Sequence, residues 1–403
     1  MKDLATSSFA KAAEDIKNAK KAWPTARLGD VCEIVYGTRV RKKDSIGDEY
    51  PVYGGGGETF RWDTFNRENQ CVVSRFAMSE ECVRFVKGKF FLNDSGLTVD
   101  SRDVRLLQSF LDWFLFGNQE VIYFFGKGSA QRNLDIGEFS SISIPLPPLT
   151  VQCEIVARLE KELGEADRLA AKFKRVAELA DDAFKAELDE TFKALEDNSR
   201  RDAETRRVRL GDVCERITKG TTPTSVGYCF VESGINFVKI ESFSEDGTVL
   251  INRVAHISPE CHLALKRSQL QAEDVLFSIA GAIGRVAIVG EDLLPANTNQ
   301  ALAIIRTSKE KSLDVKFLKY SLCSCSVKEQ YVPMQKTTAQ SNLSLQNVSD
   351  FILSIPTLDA QRAIVAKLDA AKERCEKLKA AAMRGHAAAE NLRKAILAEA
   401  FEQ

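Results

Sequence analysis

Nowhere in the 403 residues does an apolar run approach the roughly 20 residues that a membrane-spanning helix demands. The opening stretch, Met1 to Trp23, mixes Lys, Ala and acidic residues instead of forming an apolar block, which argues against a secretory signal. The ten cysteines contain no Cys-x-x-Cys pair, and a chain of this length has no need of a disulfide framework. They read as reduced thiols of a cytosolic protein, mostly filling cores. A basic excess is missing too, since 56 Lys and Arg against 57 Asp and Glu leave a formal net charge of −1. Contact with nucleic acid usually leaves a basic footprint. Any such contact here must come from local basic loops, with acidic residues placed on other elements or a partner supplying part of the phosphate grip.

Catalytic signatures are equally scarce. There is no Gly-x-Ser-x-Gly, no Ser–His–acid order and no Asn-Pro-Pro-Tyr methyltransferase motif. His256, Cys261 and His262 cluster, but at a spacing that fits no zinc pattern. No catalytic or metal-binding residue is therefore expected, which points to a binding protein. Hydrophobic residues make up 44% of the chain, enough for two or three domains with cores of their own.

What is present is a repeat. Arg27-Leu-Gly-Asp-Val-Cys-Glu33 returns as Arg209-Leu-Gly-Asp-Val-Cys-Glu215, an offset of 182 residues from 27 to 209. Gln131-Arg-Asn-Leu134 returns as Gln340-Ser-Asn-Leu343, and Gln152 to Leu159 (QCEIVARL) as Gln361 to Leu368 (QRAIVAKL), both at an offset of 209 from 131 to 340 and from 152 to 361. A Pro-bearing extended stretch precedes each of the last pair, Ile142–Leu149 and Ile352–Leu358. Two copies of one module thus share their ends, while the second middle is 27 residues longer (209 − 182). A common frame around different middles suits two readers of two different targets.

Within each module, 27–149 and 199–358 carry short alternating apolar runs such as Cys71–Phe76, Arg84–Lys87, Asp274–Ile279 and Arg285–Val289, which read as strands. Helical pieces are expected over Val104–Gly117 and Leu313–Glu329. Two long helices follow, over 150–198 and 359–403. Apolar residues recur at Ile155, Leu159, Leu163, Ala166, Ala170, Phe173, Ala177, Ala180, Phe184, Leu188, Phe192 and Leu195, and again at Ile364, Leu368, Ala371, Cys375, Leu378, Ala382, Ala389, Leu392 and Ile396. Steps of three and four in alternation mark a coiled-coil seam, each helix roughly 70 Å long at 1.5 Å per residue. If the helices pair antiparallel, Gly164 and Gly385 are expected near each other on the seam. Residues 1–26 read as a shorter N-terminal helix, with Leu4, Ala12, Ile16 and Ala19 on one face, packing near Leu392–Phe401. The fold class is α+β: two strand-rich domains in pseudo-twofold repeat, separated by two long antiparallel helices.

The order of these parts resembles the specificity subunit of type I restriction–modification enzymes across nearly the whole chain. It runs from a strand-rich domain through Pro-Leu-Pro-Pro-Leu-x-x-Gln and its helix to a second domain opening Arg-Leu-Gly-Asp-Val, then a second such helix. The resemblance implies two target-recognition domains reading a split site in double-stranded DNA. It implies two methyltransferase subunits docked on the helices and restriction subunits beyond them. It implies adenine methylation by the partner, with S-adenosylmethionine held there, no cofactor in this chain and no membrane. Half-sites one helical turn apart would leave about 5–8 base pairs unread.

Two loops in each module are candidate DNA contacts. Tyr36-Gly-Thr38 leads into Arg39, Arg41, Lys42 and Lys43; Lys219-Gly-Thr221-Thr222 holds the same place in the second module and resembles a family loop. Lys and Arg suit phosphates, and Thr suits phosphate or a base edge. Lys127, Gln131, Arg132 and Asn133 correspond to Lys336, Thr337 and Gln340. Small neighbours there allow close approach, and Gln or Arg can pair with base edges. Tyr53-Gly-Gly-Gly-Gly57 is as readily a turn as a phosphate cradle, and lacks the Lys-Ser or Lys-Thr of a P-loop. Gly281-Ala-Ile-Gly284 reads as a tight hairpin with Arg285 turned toward DNA. Two alternatives stand beside this reading: a coiled-coil scaffold with no DNA contact, favoured by the near-zero charge, and the DNA-reading subunit of a related defence system.

Overall fold

The computed structural model describes residues 23–128, 131–199, 204–244, 247–308, 312–335 and 342–401. The chain divides into two compact units: Met1–Lys174 with Arg384–Gln403, and Arg175–Met383. None of the described helices is long and apolar enough to cross a membrane.

In the first unit, β1 (Thr25–Arg27) pairs with β10 (Ser143–Pro145). Between them lie β2 (Cys32–Tyr36), β3 (Tyr50–Gly54), β4 (Gly57–Trp62), β5 (Arg67–Ser74), β6 (Val83–Leu92) and β7 (Gly96–Ser101), then the short hairpin β8 (Gly126–Lys127) and β9 (Asn133–Leu134). The main sheet has the order β2-β7-β5-β6-β3-β4 and is antiparallel except where β3 meets β6. Its inner strands are buried on both faces. Cys71 and Val73 face one core with the Gln108–Gly117 helix and the start of the long central helix, while Val72 faces a second core with Val86, Phe90 and Leu92. That two-sided burial explains the unbroken apolar run Cys71-Val-Val73, with alternate residues serving different cores.

The second unit reuses the frame. Here β11 (Arg206–Arg209) pairs with β19 (Ile352–Ile355). The strands β12 (Cys214–Lys219), β15 (Val275–Ser278), β16 (Val286–Ile288) and β18 (Leu302–Thr307) form a sheet of order β12-β18-β15-β16, the counterpart of β2-β7-β5-β6. The additional length forms a separate small sheet of β13 (Ile235–Val238), β14 (Ala255–Ile257) and β17 (Ala296–Thr298). Again the strands are covered on both sides: Val275 and Phe277 enter one core, Leu276 the other. Asp274, buried, holds Arg306 through two bonds of 2.7 and 2.8 Å. The expected helix over Leu313–Glu329 is two, Val315–Cys323 and Cys325–Gln335.

The repeated Leu-Gly-Asp-Val forms one helical turn in each unit. Leu28 N–H donates to Ile142 O (2.9 Å) and Leu210 N–H to Phe351 O (2.8 Å), with both leucine side chains fully buried. The repeated glutamine does more. Gln152 is fully buried; its Nε2 donates to Arg105 O (2.6 Å) and Pro147 O (2.8 Å), and its Oε1 accepts from Leu107 N–H (2.8 Å). Gln361 repeats the set with Ser312 O (3.0 Å), Pro356 O (3.0 Å) and Asp314 N–H (2.9 Å). Each amide therefore ties the first turn of a long helix to the N-terminus of the helix that backs the sheet.

The central helix spans Leu149–Ser199 and the C-terminal helix Leu358–Phe401. They run antiparallel in both units. In the first unit, Arg393 pairs with Asp167 (3.4 Å). In the second, Lys379 reaches Asp181 (2.6 Å) and Lys367 reaches Glu187 (3.7 Å). Numbers fall on one helix as they rise on the other. The seam is built mainly of alanine, with Ala166, Ala170, Ala180, Ala371, Ala382 and Ala389 buried. Interhelical distance follows contact size. A seam of alanines leaves little room for larger side chains, and Leu378 and Leu392, expected on it, lie 50% and 49% exposed. The helices also pack on their own sheets, Ile155 and Leu159 in one core, Val365 and Leu368 in the other.

Three further expectations need correction. Gly385 does not meet Gly164: a Cβ on Gly385 would fall 2.5 Å from the Phe173 ring, and Gly164 lies nine residues (173 − 164), about 2.5 turns, away along the central helix. The glycine makes room for an aromatic ring. Thr25–Arg27 are strand and not the end of an N-terminal helix; the rest of that helix, Met1–Ala22, lies outside the described residues. All ten cysteines are free as expected, but only Cys32, Cys71, Cys82, Cys214 and Cys261 are buried, because the others sit on helices or at turns that no core covers.

Gly385→Ala is expected to destabilise by about 1–2 kcal/mol despite its gain in helix propensity, the clash with Phe173 outweighing it; Phe173→Leu in the same chain should recover most of the loss in a denaturant titration. Gln361→Leu strands Asp314 N–H and two carbonyls in the interior and should lose about 2–4 kcal/mol on the same measurement.

Candidate nucleic-acid interface

Both units build a rim where β2 or β12 ends. A Cβ on Gly37 would lie 1.9 Å from Asn93 O, and one on Gly220 would lie 2.0 Å from Thr298 O. Only glycine lets the strand end press against the neighbouring turn. Thr38 N–H then donates to Leu92 O (2.9 Å) and Thr221 N–H to Thr298 O (3.1 Å). The two glycines are 183 residues apart, one more than the frame; a β-bulge between Cys214 and Arg216 supplies the additional residue.

The strand β5 brings the two candidate loops of the first unit together. Arg75, just beyond it, donates its N–H to Ser95 O (2.8 Å) and accepts at its carbonyl from Leu134 N–H (2.9 Å). Leu134 ends the β8–β9 hairpin that carries Lys127, Gln131, Arg132 and Asn133. The hairpin turns on Gly128, at φ 117°, where a Cβ would meet Gln131 O at 2.3 Å. In the second unit Ile279 stands where Arg75 does: its N–H donates to Ala301 O (2.8 Å), and its carbonyl accepts from Leu343 N–H (2.8 Å). Sharing Gln-x-Asn-Leu thus means sharing one docking bond. Lys336, Thr337 and Gln340, which precede Leu343, lie outside the described residues.

Side chains of the first rim differ in what they are free to do. Arg39 stands 4.0 Å from Asp94, Arg41 binds Asp44 (2.7 Å) and Lys127 binds Asp135 (2.5 Å). These pairs are exposed and weak, so a phosphate can compete for each cation. Lys42 and Lys43 lie exposed on a 3-10 turn. Arg132 lies 4.6 Å from the Tyr123 ring centroid, and Arg75 lies 4.5 and 4.6 Å from those of Tyr36 and Phe76. Gln131 and Asn133 are exposed. In the second rim Lys219 is exposed, and the Thr222 hydroxyl donates to Gln300 Oε1. Arg285 is half-buried in the β15–β16 hairpin, its N–H bonded to Ser278 Oγ (2.7 Å), with Gly281 and Gly284 at positive φ as a tight hairpin requires. The glycines after Tyr53 form the β3–β4 turn. Gly55 N–H is taken by Ser95 Oγ (3.1 Å) and its carbonyl by Ser74 Oγ (2.6 Å), so these glycines serve close packing.

Sequence reasoning passed over Arg75 and Tyr36 as its ring partner, and gave the repeated Gln152 and Gln361 no buried role. A signal existed for Arg75: an Arg-Phe pair ending an otherwise apolar strand. Behind the first sheet, burial lifts the Asp112 carboxyl to about 6, helped by Asp100 and opposed by the hydrogen bond from Gln108 (2.8 Å).

A four-stranded frame used twice around different insertions, each copy seated on a long helix, defines a duplicated α+β fold. The family model described as the type I restriction modification DNA specificity domain matches residues 20–170 and 203–382. The chain therefore belongs to the type I restriction–modification DNA specificity family. It is 28% identical over 275 residues, 64% of its length, to the EcoBI type I restriction enzyme specificity subunit of Escherichia coli, a match that spans 57% of that protein. It is 26% identical over 369 residues, 85% of its length and 86% of the relative's, to a Haemophilus influenzae protein assigned as a type I restriction enzyme specificity subunit. Its fold is like a chain from a solved type I R-M system, with a TM-score of 0.71 at 20% identity over 94% of this chain and 97% of that one. It is also like the HsdS subunit of Thermoanaerobacter tengcongensis, with a TM-score of 0.53 at 20% identity over 94% and 96% of the two chains.

Asp112 sets a pH dependence. Its pKa is raised on folding, so the folded state favours the proton, and stability should increase as pH falls from about 6 towards 4. Asp112→Asn should flatten that window and stabilise the protein at pH 7 by about 1–3 kcal/mol, read from melts at several pH values.

Proposed function

We propose that this chain is the sequence-reading subunit of a type I restriction–modification complex and carries out no chemistry of its own. The observation that supports it best is the rim built twice on one frame, with shared glycine and leucine contacts and unshared side chains. Two readers that share a frame and differ in their rims and insertions suit a bipartite target in double-stranded DNA with an unread gap. Near-zero net charge limits the phosphate grip this chain supplies alone, so two methyltransferase subunits docked on the long helices complete it, with restriction subunits added to them. S-adenosylmethionine belongs to the methyltransferase subunits, which methylate adenine; cleavage belongs to the restriction subunits. The complex works in the cytoplasm, where the DNA is. Of the candidate residues, Lys42, Lys43, Arg39, Arg41, Lys127 and Lys219 suit phosphates, while Gln131, Arg132, Asn133, Thr221, Thr222, Arg285, Lys336, Thr337 and Gln340 suit base edges or closer backbone contact.

Co-expression with the methyltransferase subunit, followed by sequencing of host DNA for methylated adenines, is expected to return a two-part motif with one fixed gap. A stable complex without methylation would reassign the chain to a related defence system. Failure to bind the methyltransferase subunit, together with no salt-dependent affinity for DNA, would favour a protein scaffold.

A further inference from the structure

Among the cations of the first rim, Arg75 lies over two rings and Arg132 over one, that of Tyr123. The Arg75 backbone is fixed on both sides, to Ser95 O and Leu134 N–H, at the end of a buried strand. Its guanidinium lies over Tyr36 and Phe76, at 4.5 and 4.6 Å from the ring centroids. Rings attract a cation without a carboxylate, and among the described residues no hydrogen bond or ion pair engages this guanidinium. The side chain is half-buried. Arg39, Arg41 and Lys127, by contrast, are exposed and already near carboxylates.

A positioned guanidinium with unspent N–H donors has the form needed for two parallel bonds to one planar acceptor edge. In the major groove that edge is guanine, through O6 and N7. We propose that Arg75 is a specificity-determining residue that reads a guanine in the part of the target contacted by the first unit. Tyr36 and Phe76 are its positioning residues. Phosphate contact falls to the exposed Lys42 and Lys43. The second unit has no counterpart, because the equivalent place is held by Ile279, only 4% exposed and apolar. The inference rests on the DNA-reading function proposed above, and it adds an asymmetry: the guanidinium readout at this place belongs to one reader alone.

The test uses the full chain co-expressed with the methyltransferase subunit, and reads the methylated-adenine motif of the wild type and of Arg75→Lys, which keeps the charge but loses the fork. The expected result is a wild-type motif with a guanine in one half. Arg75→Lys should lower methylation of sites carrying that guanine by about tenfold or more, relax that one position and leave the other half unchanged. Phe76→Leu, which keeps Arg75 but removes one ring, should relax the same position less, with an unchanged melting temperature. An unchanged motif in Arg75→Lys, or a loss spread evenly over all sites, would overturn the assignment. A wild type that gives no motif and no DNA affinity would instead overturn the DNA-reading function itself.

Discussion

A buried carboxamide sets the geometry of each half of this chain. Gln152 and Gln361 have no solvent exposure, and each satisfies two carbonyls and one N–H that would otherwise be orphaned inside the protein. Such groups are costly when unpaired, so the amide determines where each long helix leaves its sheet. The prolines just upstream serve the same join. Pro147 and Pro356 donate no N–H of their own, and the carbonyl of each is one of the two that its glutamine binds.

From that join outward the two units match until they reach their insertions. The sheet order, the leucine turn, the glycine at the strand end and the leucine that docks on the fifth strand all have counterparts. Divergence begins where the shared strands end. Arg75 and Ile279 hold equivalent backbone positions, yet one carries a cation held over two rings and the other is an apolar plug. The frame conserves direction and distance, while the rim is free to change chemistry.

Much of this was legible in the chain itself. The repeated heptapeptide, the two glutamine-headed helices and the Pro-bearing strands reported true equivalences, and both helix spans were readable from their periodicity to within one or two residues at the ends that can be compared. Leu378 and Leu392 were misplaced because hydrophobic spacing reports which residues share a face, and the alanines decide how closely that face is approached. Gly385 meets Phe173 and not Gly164 for a related reason: helix register shows in ion pairs such as Lys379–Asp181, which periodicity does not contain. The candidate loops were found from glycine and basic clusters. Arg75 was not, since a single arginine ending a strand stands out only when the rings beside it are seen.

The first unit is assembled from both ends of the chain, and the second from one continuous stretch. Phe401 packs on Phe110 and Phe114, and Leu397 and Ala400 belong to the same core. During synthesis, at about 5–20 residues per second, the second unit has all its residues once Met383 is made. The first, begun earlier, waits with an open apolar face for residues within 384–401 that its core uses. The part translated first is the part completed last, so a ribosome that stops short of Arg384 leaves the earlier reader unfinished and the later one whole.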